Sequence, residues 1–372
     1  MARPLPDIVP IPWPPGAASP PEATEAALER AATLLADGGL VAIPTETVYG
    51  LAADALDADA VDRIFAAKGR PADNPLIVHV ADTAMARGLA ARWPDAAARI
   101  AAAHWPGPVT VVVPRGRRIP DVVTAGGGTV ALRCPAQPVV RRLIAKLGRP
   151  LAAPSANRST RLSPTTAGHV LDALGNRVDL ILDGGPCRCG IESTVVDCSV
   201  EPPRILRPGP LARETLEATV GGPVTQGPVA EGPVAEGPVM EGPAADGRAP
   251  ESGATPPRSP GLARRHYAPQ TPLEIATDAA ARVAALVRDG RRIAWLTART
   301  TDPQVRGLAG SREVIVVPMP EDPVAFAACL YATLHAVDRR GLDRVIIDAP
   351  PAEERWRAIA DRLSRAAAKP AG

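Results

Sequence analysis

From Gly222 onward the chain repeats Gly-Pro-Val-x-x: GPVTQ, GPVAE, GPVAE, GPVME, then GPAAD. Proline at every fifth position removes a backbone N–H and fixes φ, so neither a helix nor a central strand survives there. A period of five rather than three excludes a collagen-like triple helix. Almost nothing in it is apolar enough to bury, and residues 221–258 read as a disordered linker. As a flexible coil it would span roughly 34 Å root-mean-square. The repeat therefore divides the 372 residues into two parts that must each find their own core.

The first part alternates helical and strand periods. Residues 1–20, crowded with proline, read as a flexible arm. Helical spacing runs from Glu22 to about Asp37 and stops at Gly38-Gly39. Leu40–Ile43, Leu76–Val80, Val109–Val113, Thr129–Arg133, Leu151–Ala153, Leu180–Leu182, Ser193–Asp197 and Arg204–Leu206 read as strands. Asp59–Lys68, Val139–Leu147 and Thr165–Leu174 read as helices between them. This predicts a mixed α/β domain over 21–215. A linker domain of 216–270 follows, ending in SPGLARRHYAP (Ser259 to Pro269). Over 271–372, helical and strand patterns again alternate, which predicts a small layered αβ domain with a parallel sheet.

Composition narrows the function classes. The 42 basic and 40 acidic residues nearly cancel, which excludes a basic nucleic-acid coat or an acidic tail protein, though not a local anion site. No stretch approaches the ~18 apolar residues of a membrane span. The N-terminal run is no signal peptide, and the five cysteines fit no disulfide framework, so a reducing cytoplasmic setting is expected. Cys187-x-Cys189 lacks a second pair and a nearby His, so no zinc site is expected. There is no Gly-Lys dipeptide, hence no Walker-type phosphate loop. Gly126 to Ala131 fits G-x-G-x-x-A formally, but it opens a strand rather than a helix and is not a dinucleotide fingerprint.

Polar exceptions instead gather at strand ends. Pro44-Thr45-Glu46-Thr47 follows one strand, and polar groups there either line a pocket or cap a turn. Lys68-Gly69-Arg70 makes an anion clamp or compensates a helix C-terminus. His79 interrupts an apolar strand, as a ligand or as a satisfied core histidine. Arg133 ends another strand, where a buried guanidinium needs an anionic partner. Ala153 to Asn157, Glu192-Ser193-Thr194 and Arg207-Pro208-Gly209 follow or precede three more. Lysine occurs only at 68, 146 and 369 and asparagine only at 74, 157 and 176, and Lys68, Asn74 and Asn157 all fall in these segments. One shared pocket for an anionic ligand is the expectation.

In order, PTETVYGL, KGRPADNPL, ALRCP, APSAN, GIESTVVD and ILRPG resemble the motifs of YrdC-type threonylcarbamoyl-AMP synthases, and SPGLARRHYAP resembles the linker motif of their long, two-domain form. The resemblance is strong over about 24–212 and looser over 259–372. It implies a twisted α/β catalytic domain with a cationic cavity and a small Rossmann-like C-terminal domain. It implies an enzyme that forms threonylcarbamoyl-adenylate and pyrophosphate from L-threonine, bicarbonate or CO2, and ATP with Mg2+, for N6-threonylcarbamoyladenosine at position 37 of tRNA. By resemblance Lys68, Arg70, Ser155 and Asn157 are the catalytic signature. Thr47, His79, Arg133, Ser155 and Ser193 would hold threonine. Arg70, Asn74, Thr129, Ala153, Asn157, Ser163, Arg207 and Tyr267 would contact ATP, with no dedicated protein site for the metal. Tyr267 would fold back over the pocket as part of a lid. The product would pass to the tRNA threonylcarbamoyl-transferase machinery. Two other readings stand beside it: carbamoyl-adenylate formation, which in similar proteins accompanies paired CxxC motifs missing here, and a non-catalytic RNA-binding module of the same fold, to which neutral charge and scarce aromatics lend little.

Overall fold

The computed structural model describes residues 4–13, 19–226 and 266–368. Most of the GPVxx repeat, and the linker motif as far as residue 265, lie outside them.

The strands of the first domain are β1 (Asp7–Pro10), β2 (Val41–Ile43), β3 (Gly50–Asp54), β4 (Ile77–His79), β5 (Val109–Pro114), β6 (Thr129–Arg133), β7 (Leu151–Ala152), β8 (Leu180–Asp183), β9 (Thr194–Asp197), β10 (Arg204–Arg207) and β11 (Thr225–Gln226). They form one mixed sheet in the order β1-β8-β2-β3-β7-β4-β6-β5-β9-β10-β11. Each reading of strand and helix made from periodicity in this domain meets an element of the same kind, with ends shifted by a residue or two. The central strands are buried on both faces, which their short Val-, Ile- and Ala-rich sequences require. Helices Glu22–Ala36 and Pro138–Leu147 cover one side through Leu28, Leu35, Leu143 and Ile144; Ala58–Lys68 packs Val61, Ile64 and Phe65 into the main core. With two phenylalanines in the whole chain, that core is aliphatic.

Two expectations about flexibility are corrected. The N-terminal arm is not loose throughout: β1 pairs in parallel with β8, the Ile11 amide donates to the Asp183 carbonyl, and Ile11 is buried. Proline tolerates this because β1 is an edge strand, where an N–H can be spared. The linker also begins later than residue 216. Helix Arg213–Val220 and β11 extend the domain through the first repeat unit, with Val224 buried. Here too the proline sits beside a two-residue edge strand rather than a central one.

The C-terminal domain holds β12 (Leu273–Ala276), β13 (Ile293–Thr297), β14 (Val314–Pro318) and β15 (Arg344–Asp348), all parallel in the order β12-β15-β13-β14. Helices Pro323–Asp338 and Arg357–Ala367 pack Leu330, Leu334, Ile359 and Leu363 into a core that also takes in Val48, Leu162, Ile191 and Tyr267. The two domains thus share a hydrophobic cluster. Gly190 marks how closely they meet: at φ +70° it lies against the backbone of the Pro323–Asp338 helix, where a Cβ would stand 2.3 Å from the Ala327 carbonyl oxygen. No helix among the described residues is long and apolar enough to cross a membrane.

Candidate active site

The parallel strands β4 and β6 end side by side, His79 in register with Arg133. The turn after β2 brings Thr45, Glu46 and Thr47 over these ends, and Gly50 bridges to Ser155 after β7. From the opposite side, Ser193 leads into β9 and Arg207 closes β10. Together they wall a cleft enclosing about 530 Å³ of empty space, its mouth included, lined also by Arg70, Ala153, Glu192, His266 and Tyr267.

Hydrogen bonding inside the cleft is tightly organised. Thr45 donates its hydroxyl to the Val48 carbonyl (2.7 Å), so the Thr47 hydroxyl must donate to Thr45 Oγ1 (2.8 Å) and accept from Arg133 Nη1 (2.9 Å). Arg133 also forms a buried ion pair with Glu46, Nη2 to Oε1 2.7 Å. The anionic partner that Arg133 requires is therefore supplied within the chain. Ser193 shares a hydrogen bond with Thr110 (2.8 Å), and Arg207 donates to the Ser193 carbonyl and hydroxyl. Gly209 allows this closeness: its Cβ would stand 2.3 Å from the Thr194 amide nitrogen.

The Lys68-Gly69-Arg70 segment divides its two cations. Asp57 caps the preceding helix by accepting from the Asp59 and Ala60 amides, and Gly69 ends it in the left-handed conformation. Lys68 is fully buried, and its ammonium donates to the Ser155 and Asn157 carbonyls. Lys68 thus anchors the loop that carries Ser155, and does not itself line the cleft. Arg70 does line it, held by the Asn74 side chain (2.6 Å) and the Asn74 and Pro75 carbonyls.

Of the residues the resemblance singles out, Thr47, His79, Arg133, Ser155, Ser193, Arg70, Ala153, Arg207 and Tyr267 line the cleft. Lys68, Asn74, Asn157 and Ser163 stand behind it as supports: Asn157 donates to the Arg158 and Arg161 carbonyls, and Ser163 donates to Glu192 (2.6 Å). Thr129 begins β6, four residues from Arg133 on the same strand face, and is not part of the lining. Glu192 and His266 line the cleft, and Glu46 pairs with Arg133 beside it; none of the three is singled out as a site residue from the sequence. Glu46 had a signal, an acid in the polar run Thr45–Thr47 facing a buried arginine.

Charge and burial favour a ligand. Burial, then the neighbouring Arg133, pulls His79 down to about 3, so the ring is neutral at pH 7. Burial and then Arg70 drive Lys68 well below its ordinary value, and His266 is lowered by burial, then by Arg70, Lys68 and Arg207. Burial is the larger cause in each case, and neighbouring cations add to it. Among the described residues, several buried polar atoms also lack a hydrogen-bond partner, including His79 Nδ1, His266 Nδ1, Tyr267 Oη and Asn157 Oδ1. Unmet groups of this kind are costly unless something else satisfies them.

The fold and the cleft define a two-domain α/β protein with a polar, arginine-bearing cleft at its strand ends, and the relatives say what kind. Residues 33–209 match the Sua5/YciO/YrdC family, described as Telomere recombination, and residues 213–368 match the Threonylcarbamoyl-AMP synthase, C-terminal domain. The chain is 37% identical to the threonylcarbamoyl-AMP synthase of Pyrococcus abyssi over 340 residues, 90% of this chain and 92% of that one. It is also 37% identical to the Bacillus subtilis enzyme of the same name over 345 residues, 91% and 92% of the two chains. The crystal structure of P. abyssi Sua5 complexed with L-threonine superimposes with a TM-score of 0.78 at 34% identity, covering 97% of each chain. The chain belongs to the two-domain threonylcarbamoyl-AMP synthase family. It is an enzyme that makes threonylcarbamoyl-adenylate for N6-threonylcarbamoyladenosine in tRNA.

Proposed function

We propose that the cleft between β4, β6 and β9 joins L-threonine, bicarbonate or CO2, and Mg2+-bound ATP, releasing pyrophosphate. The threonine amine adds to CO2 and loses a proton, giving a carbamate. A carbamate oxygen then attacks the α-phosphorus, and the bond to the β-phosphate oxygen breaks. Negative charge crowds on the carbamate, the α-phosphate and the leaving group, so the reaction needs alignment and cations rather than a nucleophilic side chain.

The roles are those the resemblance implies, and the cleft lining supports them. Thr47, Arg133, His79, Ser155 and Ser193 surround threonine, with Arg133 and Thr47 facing its carboxylate. Arg70 and Arg207 face the phosphates, and Tyr267 and Ala153 the nucleotide. Asn74, Asn157, Ser163 and Lys68 keep these groups in place. Glu192 in the cleft lining and Glu46 beside it are already engaged by Arg362 and by Arg133, so Mg2+ rides on the phosphates and water as part of the substrate. Five free cysteines accord with a reducing cytoplasm, where the labile adenylate would be handed to the tRNA-modifying transferase.

One observation carries this reading: residues from five separate segments, Thr47, His79, Arg133, Ser155 and Ser193, converge on a single cleft beside Arg70, Arg207 and Tyr267. The test is mass spectrometry of a short incubation with ATP, L-threonine, bicarbonate and Mg2+, with pyrophosphate assayed in parallel. A threonylcarbamoyl-adenylate peak that disappears without threonine, and in an Arg133→Ala protein, is expected. Neither peak nor pyrophosphate from a folded protein that binds ATP would overturn it.

A further inference from the structure

β5 reads Val-Thr-Val-Val-Val-Pro, and Thr110 is the only polar side chain in it. Side chains alternate between the two faces of a strand. Val109, Val111 and Val113 join the main core, whereas Val112 packs with Ile77, Ala131 and Val195 on the other face, the one Thr110 shares. Thr110 is fully buried. A hydroxyl in such a place costs free energy unless it is bonded, so its partner matters. β5 and β9 run in parallel, with Val109 beside Thr194 and Thr110 beside Val195. The Thr194 amide donates to the Pro108 carbonyl (3.0 Å), which draws the start of β9 against β5. Thr110 Oγ1 thereby meets Ser193 Oγ at 2.8 Å. Ser193 lines the cleft and Thr110 does not.

Which of the two hydroxyls donates follows from their protons and lone pairs. Each has one proton to give and two lone pairs to accept with. Arg207 Nη2 donates to Ser193 Oγ (3.2 Å), so one Ser193 lone pair is taken. Among the described residues, Ser193 is the sole hydrogen-bond partner of the Thr110 hydroxyl. If Ser193 donated to Thr110, the Thr110 proton would be left buried and unmet. If Thr110 donates, its proton is satisfied and both Ser193 lone pairs are filled. The Ser193 proton is then left for the cleft, where water or a substrate oxygen can accept it. A donor stranded in an apolar interior is the costlier arrangement, so Thr110 donates. Ser193 therefore meets a ligand as a hydrogen-bond donor.

We propose that Thr110 is a positioning residue for threonine recognition: by donating to Ser193, it turns the Ser193 proton onto an oxygen of the threonine substrate. Thr110 touches no substrate and acts through Ser193 alone. This rests on the site reading above, in which Ser193 holds threonine.

The test is steady-state kinetics of full-length variants in the pyrophosphate assay, with folding followed by circular dichroism. The variants are Thr110→Val, Thr110→Ser, Thr110→Ala, Ser193→Ala, and Thr110→Val combined with Ser193→Ala. Thr110→Val removes the donor and nearly keeps the shape. It should raise the KM for threonine about fivefold, the scale of one hydrogen bond, and move the KM for ATP much less. Thr110→Ser keeps the donor and should stay close to wild type, whereas Thr110→Ala should follow Thr110→Val. Because Thr110 acts through Ser193, Thr110→Val should add nothing once Ser193 is alanine: the double variant and Ser193→Ala should share one KM for threonine. A residue that merely supports the fold would instead give additive losses. An unchanged KM for threonine in Thr110→Val, equal rises for both substrates, or additive losses in the double variant overturn the proposal. If Thr110→Val does not fold, the serine and alanine variants decide it: a raised KM for threonine with alanine but not with serine supports it, and equal values refute it. An unchanged KM for threonine in Ser193→Ala would instead overturn the site reading itself.

Discussion

The seam between the domains can be opened by a single methyl group. Gly190 sits at φ +70°, and a Cβ there would lie 2.3 Å from the Ala327 carbonyl oxygen, 2.5 Å from the Ala328 carbonyl oxygen and 2.6 Å from the Ala328 Cα. These are backbone atoms of a packed helix and cannot rotate away. Relief requires the helix or the Gly190 loop to shift by about 1 Å, and forced overpacking of that size costs ~1–3 kcal/mol. The left-handed backbone adds ~1–2 kcal/mol for alanine. Gly190→Ala should therefore lose about 2–5 kcal/mol. Gly148→Ala supplies the control: it has a similar φ of +69°, nothing within 4 Å of its Cβ, and caps a helix far from the seam. It should lose the backbone share alone. Urea unfolding followed by circular dichroism measures both losses, and the excess in Gly190→Ala is the packing share at the seam. Because Glu192 and Ser193 follow two and three residues later, the same variant should lose synthase activity at a temperature where it remains folded. Equal losses in the two variants would show that the domains do not meet there as described.

Glu46→Ala would leave Arg133 buried without its carboxylate, and breaking a buried pair by removing one partner costs about 3–5 kcal/mol; a loss below about 1 kcal/mol in urea unfolding would contradict a buried pair. The depressed His79 makes stability fall with acid: neutral in the folded chain down to about pH 3 but protonated in the unfolded chain below its ordinary 6.5, it contributes fully above pH 6.5 and loses its contribution as pH drops towards 3. Between pH 6.5 and 5 that amounts to at most about 2 kcal/mol, and His79→Asn should flatten the measured slope over that interval; an unchanged slope would place the proton uptake on other groups.

Much of this molecule was legible because its chemistry lies at the ends of short apolar strands. A histidine or arginine that interrupts a run such as Ile77–Val80 or Thr129–Arg133 is visible in one dimension, and both proved to meet at one cleft. What escaped the sequence has a physical cause in each case. The strand Gly50–Asp54 is built of glycine and alanines with low strand propensity, and only burial between β2 and β7 makes it a strand. The segment Asp7–Pro10 carries a proline signal that speaks of loops, but an edge position asks less of its backbone. The repeat's first unit joins the sheet for the same reason.

The site shows a deeper limit. Arg133 announces its need for an anion, and the sequence offers both a substrate carboxylate and Glu46 to meet it; only geometry shows that the protein already supplies one. Arg133 meets Glu46 through Nη2 and the Thr47 hydroxyl through Nη1, so its ion pair and its side-chain hydrogen bond use different nitrogens. Glu192 is harder still to read. Its partners Tyr331 and Arg362 stand 139 and 170 residues away in another domain. No local period or motif encodes that meeting, because it depends on how two separately folded sheets are brought together. The part of the site that periodicity hides is thus the part that the domain interface creates.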